Sequence, residues 1–449
     1  MTDSGAPAYE EVAQALLDAA ARPLPEDAAA AARRTLYNVM AVALGAAGSP
    51  EVTRLATALA TPSGVPAAPG VPGHADAPGA ALLTGFAAHL DDFDDTHLAT
   101  VIHPGAAVLG AAWSAGWTAD QAGEGSGLLT AFALGCEIQL RLGLAVTPDH
   151  YERGWHITGT CGVIGAAVTA GLLGGLGRDA LAGALRLASL RTVGHREAFG
   201  TEVKPFHAGK AAANGLLAAQ EAELGAETAA ALPDLGHLLV AFAPGHRNPS
   251  VLLDGFGKQW EVVANTFKPY PCGIVAHPGI DAAILAHRQG LRPAGIARVR
   301  YLCHPLVPEL MGRLDPRTGL EARFSAVHGV AAGLTRGAGG LAEFADTAIA
   351  DPELSGVRAR IELCPDEAMP RDAAALEIEA VDGAVTRWPV AHARGSLLRP
   401  LTDDELIGKA EALAPGRARA LWTAVSRLDR AATSAQSLLE PLPQEVDAR

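Results

Sequence analysis

The sequence predicts a mainly α protein, a large multihelical domain with a smaller α+β domain inserted into it. Three observations predict this class. Apolar residues recur at helical spacing from Tyr9 to about Leu224, the pattern of helices with one buried face. Hydrophobic residues make up 49% of the 449-residue chain but aromatics only 5%, so the core must be built from Ala, Leu, Val and Gly, whose small side chains let helices pack closely. After Asn265 the texture changes to alternating, strand-like segments, and helical spacing returns at Thr402. On this reading residues 8–265 are the first part of the helical domain, 266–394 the α+β domain, 395–432 the C-terminal part of the helical domain, and 433–449 a disordered tail.

The elements follow in order. Tyr9–Ala21 carries Val12, Leu16, Leu17 and Ala20 on one face and is stopped by Pro23 and Pro25. Glu26–Ala46 is a second helix, and Pro50 starts a third. Gly64–Gly79, rich in Pro and Gly, reads as an exposed loop. Ala80–Leu90, Pro104–Gly116, Leu128–Val146, Cys161–Leu173, Arg178–Thr192 and Lys210–Leu224 read as helices. FKPYPCG (Phe267–Gly273) is a turn-rich link. Beyond it, Pro278–Gln289, Leu320–Leu334 and Leu341–Ala350 read as helices, and Ile296–Cys303, Val357–Leu363, Ala375–Val381 and Ala384–Trp388 as strands, the last two joined by an Asp382-Gly383 hairpin signal. Thr402-x-x-Glu405 is a capping box that opens a helix to Leu413, and another covers Arg417–Arg430.

Composition narrows the function. A net charge of −14 without a basic cluster argues against nucleic acid as a partner. It leaves room for a small acidic substrate in a local cationic pocket. The five cysteines are scattered without a C-x-x-C pair, which suits a reducing compartment and no structural zinc. MTDSGAPAYEE has no apolar run of a signal peptide, and Gly159–Gly175 is too short and Gly-broken to span a membrane. The expectation is a soluble cytoplasmic protein with no membrane partner.

Three polar patches interrupt the apolar helices. AHLDDFDDTHLATVIHPG (Ala88–Gly105) holds four aspartates and three histidines, HYERGWHITGT (His150–Thr160) precedes a helix, and GHREAFGTEVKPFHAG (Gly194–Gly209) opens another. Each lies at a helix junction, so one site assembled from several loops is expected. Asp91-Asp92-Phe93-Asp94-Asp95 also matches D-D-x-x-D, a motif of magnesium-dependent prenyl diphosphate enzymes. It stands without a second metal motif in an aromatic-poor chain. Histidine pairs at zinc-like spacing are lacking, and no metal is called for. The reading that fits the residue types is His103, His156 and Lys204 as a pocket for carboxylates, with Asp92 tuning an imidazole and Thr96 donating a hydrogen bond. Such a set suits proton transfer at carbon next to a carboxylate, where developing charge needs fixed cations and donors.

The motifs DDFDDTH…HPG (Asp91–Gly105), GWHITGT (Gly154–Thr160), FGTEVKPFHAGKAA (Phe199–Ala212), KPYPCG (Lys268–Gly273) and EARFS (Glu321–Ser325) together resemble the MmgE/PrpD family, which includes 2-methylcitrate dehydratase, cis-aconitate decarboxylase and iminodisuccinate epimerase. The resemblance implies a helical domain with a smaller α+β lid domain, a homodimer, and no metal or organic cofactor. It places Asp92, Thr96, His103, His156 and Lys204 on the family's catalytic positions, and makes His97, His207, Lys268, Tyr270, His277 and His328 candidates for substrate binding. Two departures stand out: His328 takes the position of a tyrosine in the decarboxylase branch, and the Thr96–His103 spacing is one residue longer. The expected activity is a cofactor-independent lyase that dehydrates a 2-methylcitrate-like hydroxy acid. Decarboxylation of a cis-aconitate-like acid and epimerisation of an iminodisuccinate-like one are alternatives on the same scaffold. A prenyl diphosphate enzyme and a non-catalytic carboxylate binder are remote ones.

Overall fold

The computed structural model describes residues 5–118, 125–229, 233–428 and 438. It is mainly helical, and its apolar side chains gather into two separate cores. The first is built by the helices Tyr9–Ala20, Glu26–Ala46, Ala77–His89, Pro104–Thr118, Gly125–Val146, Ile157–Leu173, Arg178–Ser189 and Val203–Ala229. The helix Val203–Ala229 runs through its middle, against Ile157–Leu173, Ala77–His89 and Arg178–Ser189. Close packing there rests on small residues. A Cβ on Gly110 would lie 2.4 Å from the Ala81 carbonyl oxygen and 2.6 Å from the Ala212 Cβ, and one on Gly215 would lie 2.5 Å from the Ala166 Cβ. The composition signal, small aliphatics with few rings, is thus expressed as helix backbones in near contact.

The second core runs from Tyr270 to Ile378. Its sheet has the strand order Ile361–Pro365, Ile296–Cys303, Ala374–Ala380, Val385–Val390. The first pair is parallel, Val299 opposite Ile361, and the others are antiparallel. A parallel pair needs a long crossover, which the short helices between residues 304 and 360 supply. The helices His277–Arg288 and Ala326–Arg336 pack together beside this sheet. The chain then returns to the first core, where Asp403–Leu413 lies on Glu26–Ala46 and the Arg34 guanidinium binds Asp403 and the Leu401 carbonyl. The Thr402–Glu405 capping box is formed.

Several expectations are corrected. Gly64–Gly79 is not an exposed loop. Val65–Ala68 and Val71–Ala75 pair, with Ala60–Thr61, in a small sheet whose Val65, Ala67, Ala68 and Ala75 are buried. Pro69 and Gly70 make the turn between the two strands, while Pro66, Pro72 and Gly73 lie within them. The strand expected at 357–363 begins only at Ile361, because Asp351 caps a helix over Pro352–Arg358. The helix expected from Lys210 starts at Val203, so Lys204 and His207 lie within its first turns. The Leu320–Leu334 helix is broken at Ser325, whose side chain caps Ala326–Arg336. Leu341–Ala350 is two short turns. The expected disordered tail lies outside the described residues, apart from Leu438. Gly127–Val146 is long and apolar enough to cross a bilayer, but 89% of its apolar window is buried inside the protein.

The packing makes a prediction. Gly110→Val should lower stability by about 1–3 kcal/mol, the usual cost of overpacking. Gly408→Ala, in a helix where a Cβ meets nothing within 4 Å, should be neutral or stabilising by up to ~1 kcal/mol. Denaturant unfolding of both variants tests this, and an unchanged midpoint for Gly110→Val would contradict the close crossing.

Candidate active site

Three helices of the first core begin at the same place. His103 immediately precedes Pro104–Thr118, His156 is the N-cap of Ile157–Leu173, and Lys204 is the second residue of Val203–Ala229. Helix N-termini carry partial positive charge and free N–H groups, so their convergence favours anions. The backbone N–H of His103 donates to the Thr158 hydroxyl at 3.1 Å, which ties two of these starts together. A short strand, Asp95–His97, pairs with Asn265–Phe267 and brings Lys268 beside the acidic stretch.

The cavity so formed is lined by Asp92, Thr96, Val101, His103, His156, Lys204 and Lys268 from these elements. Its space for the centre of a water molecule is about 60 Å³. Phe199, Ile274, Val275, Leu310, Met311 and Phe324 complete it with an apolar wall, mostly from the second core. The site therefore sits where the two cores meet. Arg323 clasps them, donating to the Leu90 carbonyl at 2.8 Å and to Asp91 at 2.7 Å.

Asp92 is the electrostatic centre. One oxygen takes the Lys204 ammonium and the other takes Lys268 at 2.9 Å, while Lys268 also donates to the Asp92 carbonyl at 3.1 Å. Burial opposes the charge on Asp92, but the two ammonium groups outweigh it and hold the carboxyl well below its usual range. Burial pulls the Lys204 ammonium down, against the attraction of Asp92. The Lys204 ammonium also lies 5.5 Å from the Phe199 ring centroid and 5.4 Å from that of Phe324, within cation–π range. Two residues here have positive φ, Asp92 at 49° and Val101 at 55°. For a β-branched residue such as Val101 this is a strained conformation, and both sit in the cavity wall.

Asp94 organises the imidazoles. Its two oxygens bind His89 Nδ1 at 2.6 Å and His103 Nδ1 at 2.9 Å. Despite burial, the two histidines keep its carboxyl well below the usual range. The bond to Asp94 places the proton of neutral His103 on Nδ1 and leaves Nε2 as a lone pair, 3.9 Å from the near oxygen of Asp92. Burial pushes the His103 pKa down to about 3, so the free imidazole is neutral. His156 bonds through Nδ1 to His207 Nδ1 at 3.1 Å, and burial drives its pKa well below the ordinary value. Thr96 donates to the Asp95 carbonyl at 2.8 Å and stands 3.4 Å from His103 Nδ1.

The structure thus brings Asp92, Thr96, His103, His156, Lys204 and Lys268 together. It does not bring in the remaining candidates. His97 faces away, bonded to Thr100 at 3.0 Å and 3.6 Å from Glu261. His207 stands behind His156 and does not line the cavity. Tyr270 donates to Asp281 at 2.5 Å in a separate surface cleft. His277 bonds the Cys272 carbonyl at 3.2 Å, and His328 bonds the Glu343 carbonyl at 2.8 Å beside Arg358. Each of these is a polar group satisfied within its own surroundings. Sequence reasoning left out Asp94 and His89, although both lie in the acidic stretch. It also left out Lys409, whose buried ammonium binds the carbonyls of Phe93 and Lys268 at 2.5 and 2.9 Å and Asn38 at 2.8 Å. The helix Asp403–Leu413 supplies it from 316 positions beyond Phe93, and no local motif announces it.

The four aspartates take separate partners: Asp91 has Arg323, Asp92 the lysines, Asp94 the histidines, and Asp95 the Asn265 amide at 2.7 Å and the Gly105 N–H at 3.0 Å. They do not form the shared acidic face that a diphosphate–magnesium motif presents. Among the described residues, His89, Asp92, Asp94 and His103 bring potential ligand atoms within 4.8 Å of one another. Within this set Asp94 bonds both histidines, and Asp92 takes Lys204 and Lys268.

A family model described as the MmgE/PrpD N-terminal domain matches residues 10–245, and one described as the MmgE/PrpD C-terminal domain matches residues 270–428. The chain is 30% identical to the cis-aconitate decarboxylase of Homo sapiens over 295 residues, 63% of this chain and 60% of that protein. It is 28% identical to that of Mus musculus over 346 residues, 74% of this chain and 70% of that protein. An Aspergillus terreus cis-aconitate decarboxylase is 28% identical over 50% of this chain and 49% of its own length. The match to the human relative thus spans less than two thirds of that protein.

Asp95 gives a pH test. Burial and the neighbouring Asp94 push its carboxyl up to about 7. An acid whose folded value is raised favours folding at low pH and loses that contribution as pH rises toward the folded value. The stability difference between wild type and Asp95→Asn should therefore shift against wild type from pH 5 to pH 8, by on the order of 2 kcal/mol. Urea unfolding at both values measures it, and a constant difference would rule out the raised carboxyl.

Proposed function

The chain belongs to the MmgE/PrpD family, and from that premise we propose that it is a lyase acting on a di- or tricarboxylate by proton transfer at a carbon next to a carboxylate. The observation that carries this is the doubly ammonium-bound Asp92 facing two neutral imidazoles in one buried cavity. Lys204 and Lys268 hold substrate carboxylates. Asp94 directs His103 Nε2 at the substrate, and His156 presents its own Nε2. The second core acts as a lid whose apolar wall keeps water from the reacting carbon.

The relatives favour decarboxylation of a cis-aconitate-like acid as the net reaction. The bond from carbon to one carboxylate breaks, its electron pair shifts through the allylic system, and the far carbon takes a proton. His156 Nε2–H gives that proton. His103, drawn toward its cationic form by the bound anion and by Asp94, stabilises the developing charge. One observation keeps dehydration as a second reading. His103 bears a lone pair toward the cavity and His156 can bear an N–H, the base and acid that removal of water from a hydroxy acid needs. The position of the decarboxylase-branch tyrosine is held by His328, turned away from the cavity. The groups in either reaction are supplied by the protein. We also propose a cytoplasmic homodimer that works without metal or organic cofactor.

Proton NMR of EDTA-treated protein in D₂O with cis-aconitate, citrate, 2-methylcitrate and iminodisuccinate tests the reading. Carbon dioxide release with an itaconate-like product from cis-aconitate is expected. New vinyl signals from a hydroxy acid would select dehydration instead, and a silent panel would sink the proposal for these acids. His156→Gln should lower kcat about 10²–10⁴-fold, the usual worth of a positioned acid, with KM and the unfolding midpoint little changed.

A further inference from the structure

Two segments of the cavity floor share a neighbour that does not itself line the cavity. The Lys409 ammonium, from the helix Asp403–Leu413, donates to the Phe93 carbonyl at 2.5 Å, the Lys268 carbonyl at 2.9 Å and the Asn38 amide oxygen at 2.8 Å. Phe93 stands between Asp92, which takes the lysines, and Asp94, which takes the imidazoles. Lys268 is one of those lysines, and its backbone N–H donates to the Asp94 carbonyl at 3.3 Å. Asn38 belongs to the core helix Glu26–Ala46 and is itself buried. The ammonium therefore joins the acidic stretch, the segment after the strand Asn265–Phe267 and a core helix at one point.

The chemistry of that point calls for an ammonium. Three acceptors converge there, and a lysine head group offers three donors and no acceptor. An amide side chain has only two donors and would leave one oxygen without a partner. The ammonium also lies 4.1 Å from the Phe93 ring centroid, within cation–π range, so the ring and the carbonyl of one residue are held together. Asp92, just before it, has a φ of 49°, which non-glycine residues adopt uncommonly. The bond to the next residue's carbonyl holds the chain in that turn. Burial disfavours the charge on Lys409, and Asp94 and Asp95 support it.

We propose that Lys409 is a positioning residue of the active site, which sets the Asp92–Lys268 pair and the Asp94–His103 pair relative to one another. This rests on the lyase reading, in which the first pair meets substrate carboxylates and the second meets the reacting carbon. Lys409 touches no reacting atom. Its three bonds fix the Phe93 peptide and the Lys268 backbone, so Asp92 and Asp94 stay turned to opposite partners. Without the ammonium, two carbonyls of buried residues lose a donor, and the segments that carry them shift to find another. A misplacement of about 1 Å at reacting groups costs about 100-fold in rate.

Lys409→Met keeps the bulk of the side chain and removes its donors. Its kcat with cis-aconitate should fall about 100-fold, with a single cooperative unfolding transition retained. Lys409→Ala should show the same fall. Ethylammonium should restore most of it, while tetramethylammonium, which carries the charge without an N–H, should restore none. A wild-type kcat, a loss that ethylammonium leaves in place, or equal rescue by both ions would overturn the role. Should Lys409→Met not fold, Asn38→Ala carries the test, because the ammonium then keeps both carbonyls but loses its anchor in the core. Its kcat should fall about tenfold, the scale of one hydrogen bond, and a wild-type kcat would again overturn the role. A further readout needs no turnover. In ¹⁵N-histidine-labelled protein the His103 Nδ1–H signal, set by the bond to Asp94, should move in Lys409→Met, and an unmoved signal would overturn the role. Wild type silent with every acid while that signal moves would instead remove the lyase reading and leave the positioning role in place.

Discussion

The structure of the site depends on one buried carboxylate gripped by two buried ammonium groups. Lys204 and Lys268 reach Asp92 from 112 and 176 positions further along the chain, and all three side chains are nearly inaccessible. Removing such ions from water costs several kcal/mol each, so their mutual attraction must be close and well directed. At about 4 Å and an effective dielectric of ~20, each pair contributes about 4 kcal/mol, enough to offset that cost only while the geometry holds. The helix starting at Val203, the strand at Asn265 and the loop after His89 are therefore fixed relative to one another. Two positive charges face one negative there, and the excess suits a substrate carboxylate.

This grip explains which parts of the sequence were legible. The helices of the first core could be read because alanine and leucine recur at helical spacing, and the helix ends because Pro50, Pro104 and Thr402 mark them. Local pattern failed where a short-range signal meant something non-local. The Pro- and Gly-rich stretch 64–79 folds into a small sheet, not an exposed loop, because Val65, Ala67, Ala68 and Ala75 bury against the first core. Val357 alternates like a strand residue, yet the Asp351 cap and Pro352 start a helix there. The Ser325 cap likewise ends one helical run and begins another.

In the site, helix starts were the informative signal. His103, His156 and Lys204 could be placed because each stands where a polar patch meets an apolar helix. Histidines chosen by type alone fell elsewhere. His97, His277 and His328 each bond a backbone carbonyl or a nearby hydroxyl, and a sequence does not distinguish such a satisfied core imidazole from one that faces a cavity. The aspartates show the same limit. Four in one short stretch look like a single acidic face, but the chain turns between them, with Asp92 in a left-handed conformation and Asp95 in a strand. Each carboxylate points to a different partner, so spacing alone does not give their roles.

The cavity has a polar floor from the first core and an apolar wall from the second, and this division governs its proton chemistry. Excluding water strengthens every charge interaction on the floor. The same exclusion pushes the cavity imidazoles toward their neutral forms, which is why His103 falls to about 3. Which nitrogen of a neutral imidazole carries the proton is set by the hydrogen bond that the other nitrogen makes. Asp94 does this for His103, whereas His156 is tied to the second imidazole of His207. A carboxylate fixes a lone pair toward the substrate and favours positive charge on the ring. A second imidazole can donate or accept, so that bond leaves the tautomer of His156 open. A site that was merely a carboxylate trap would need the lysines and nothing more. Two imidazoles tied in two different ways are more than a carboxylate trap requires.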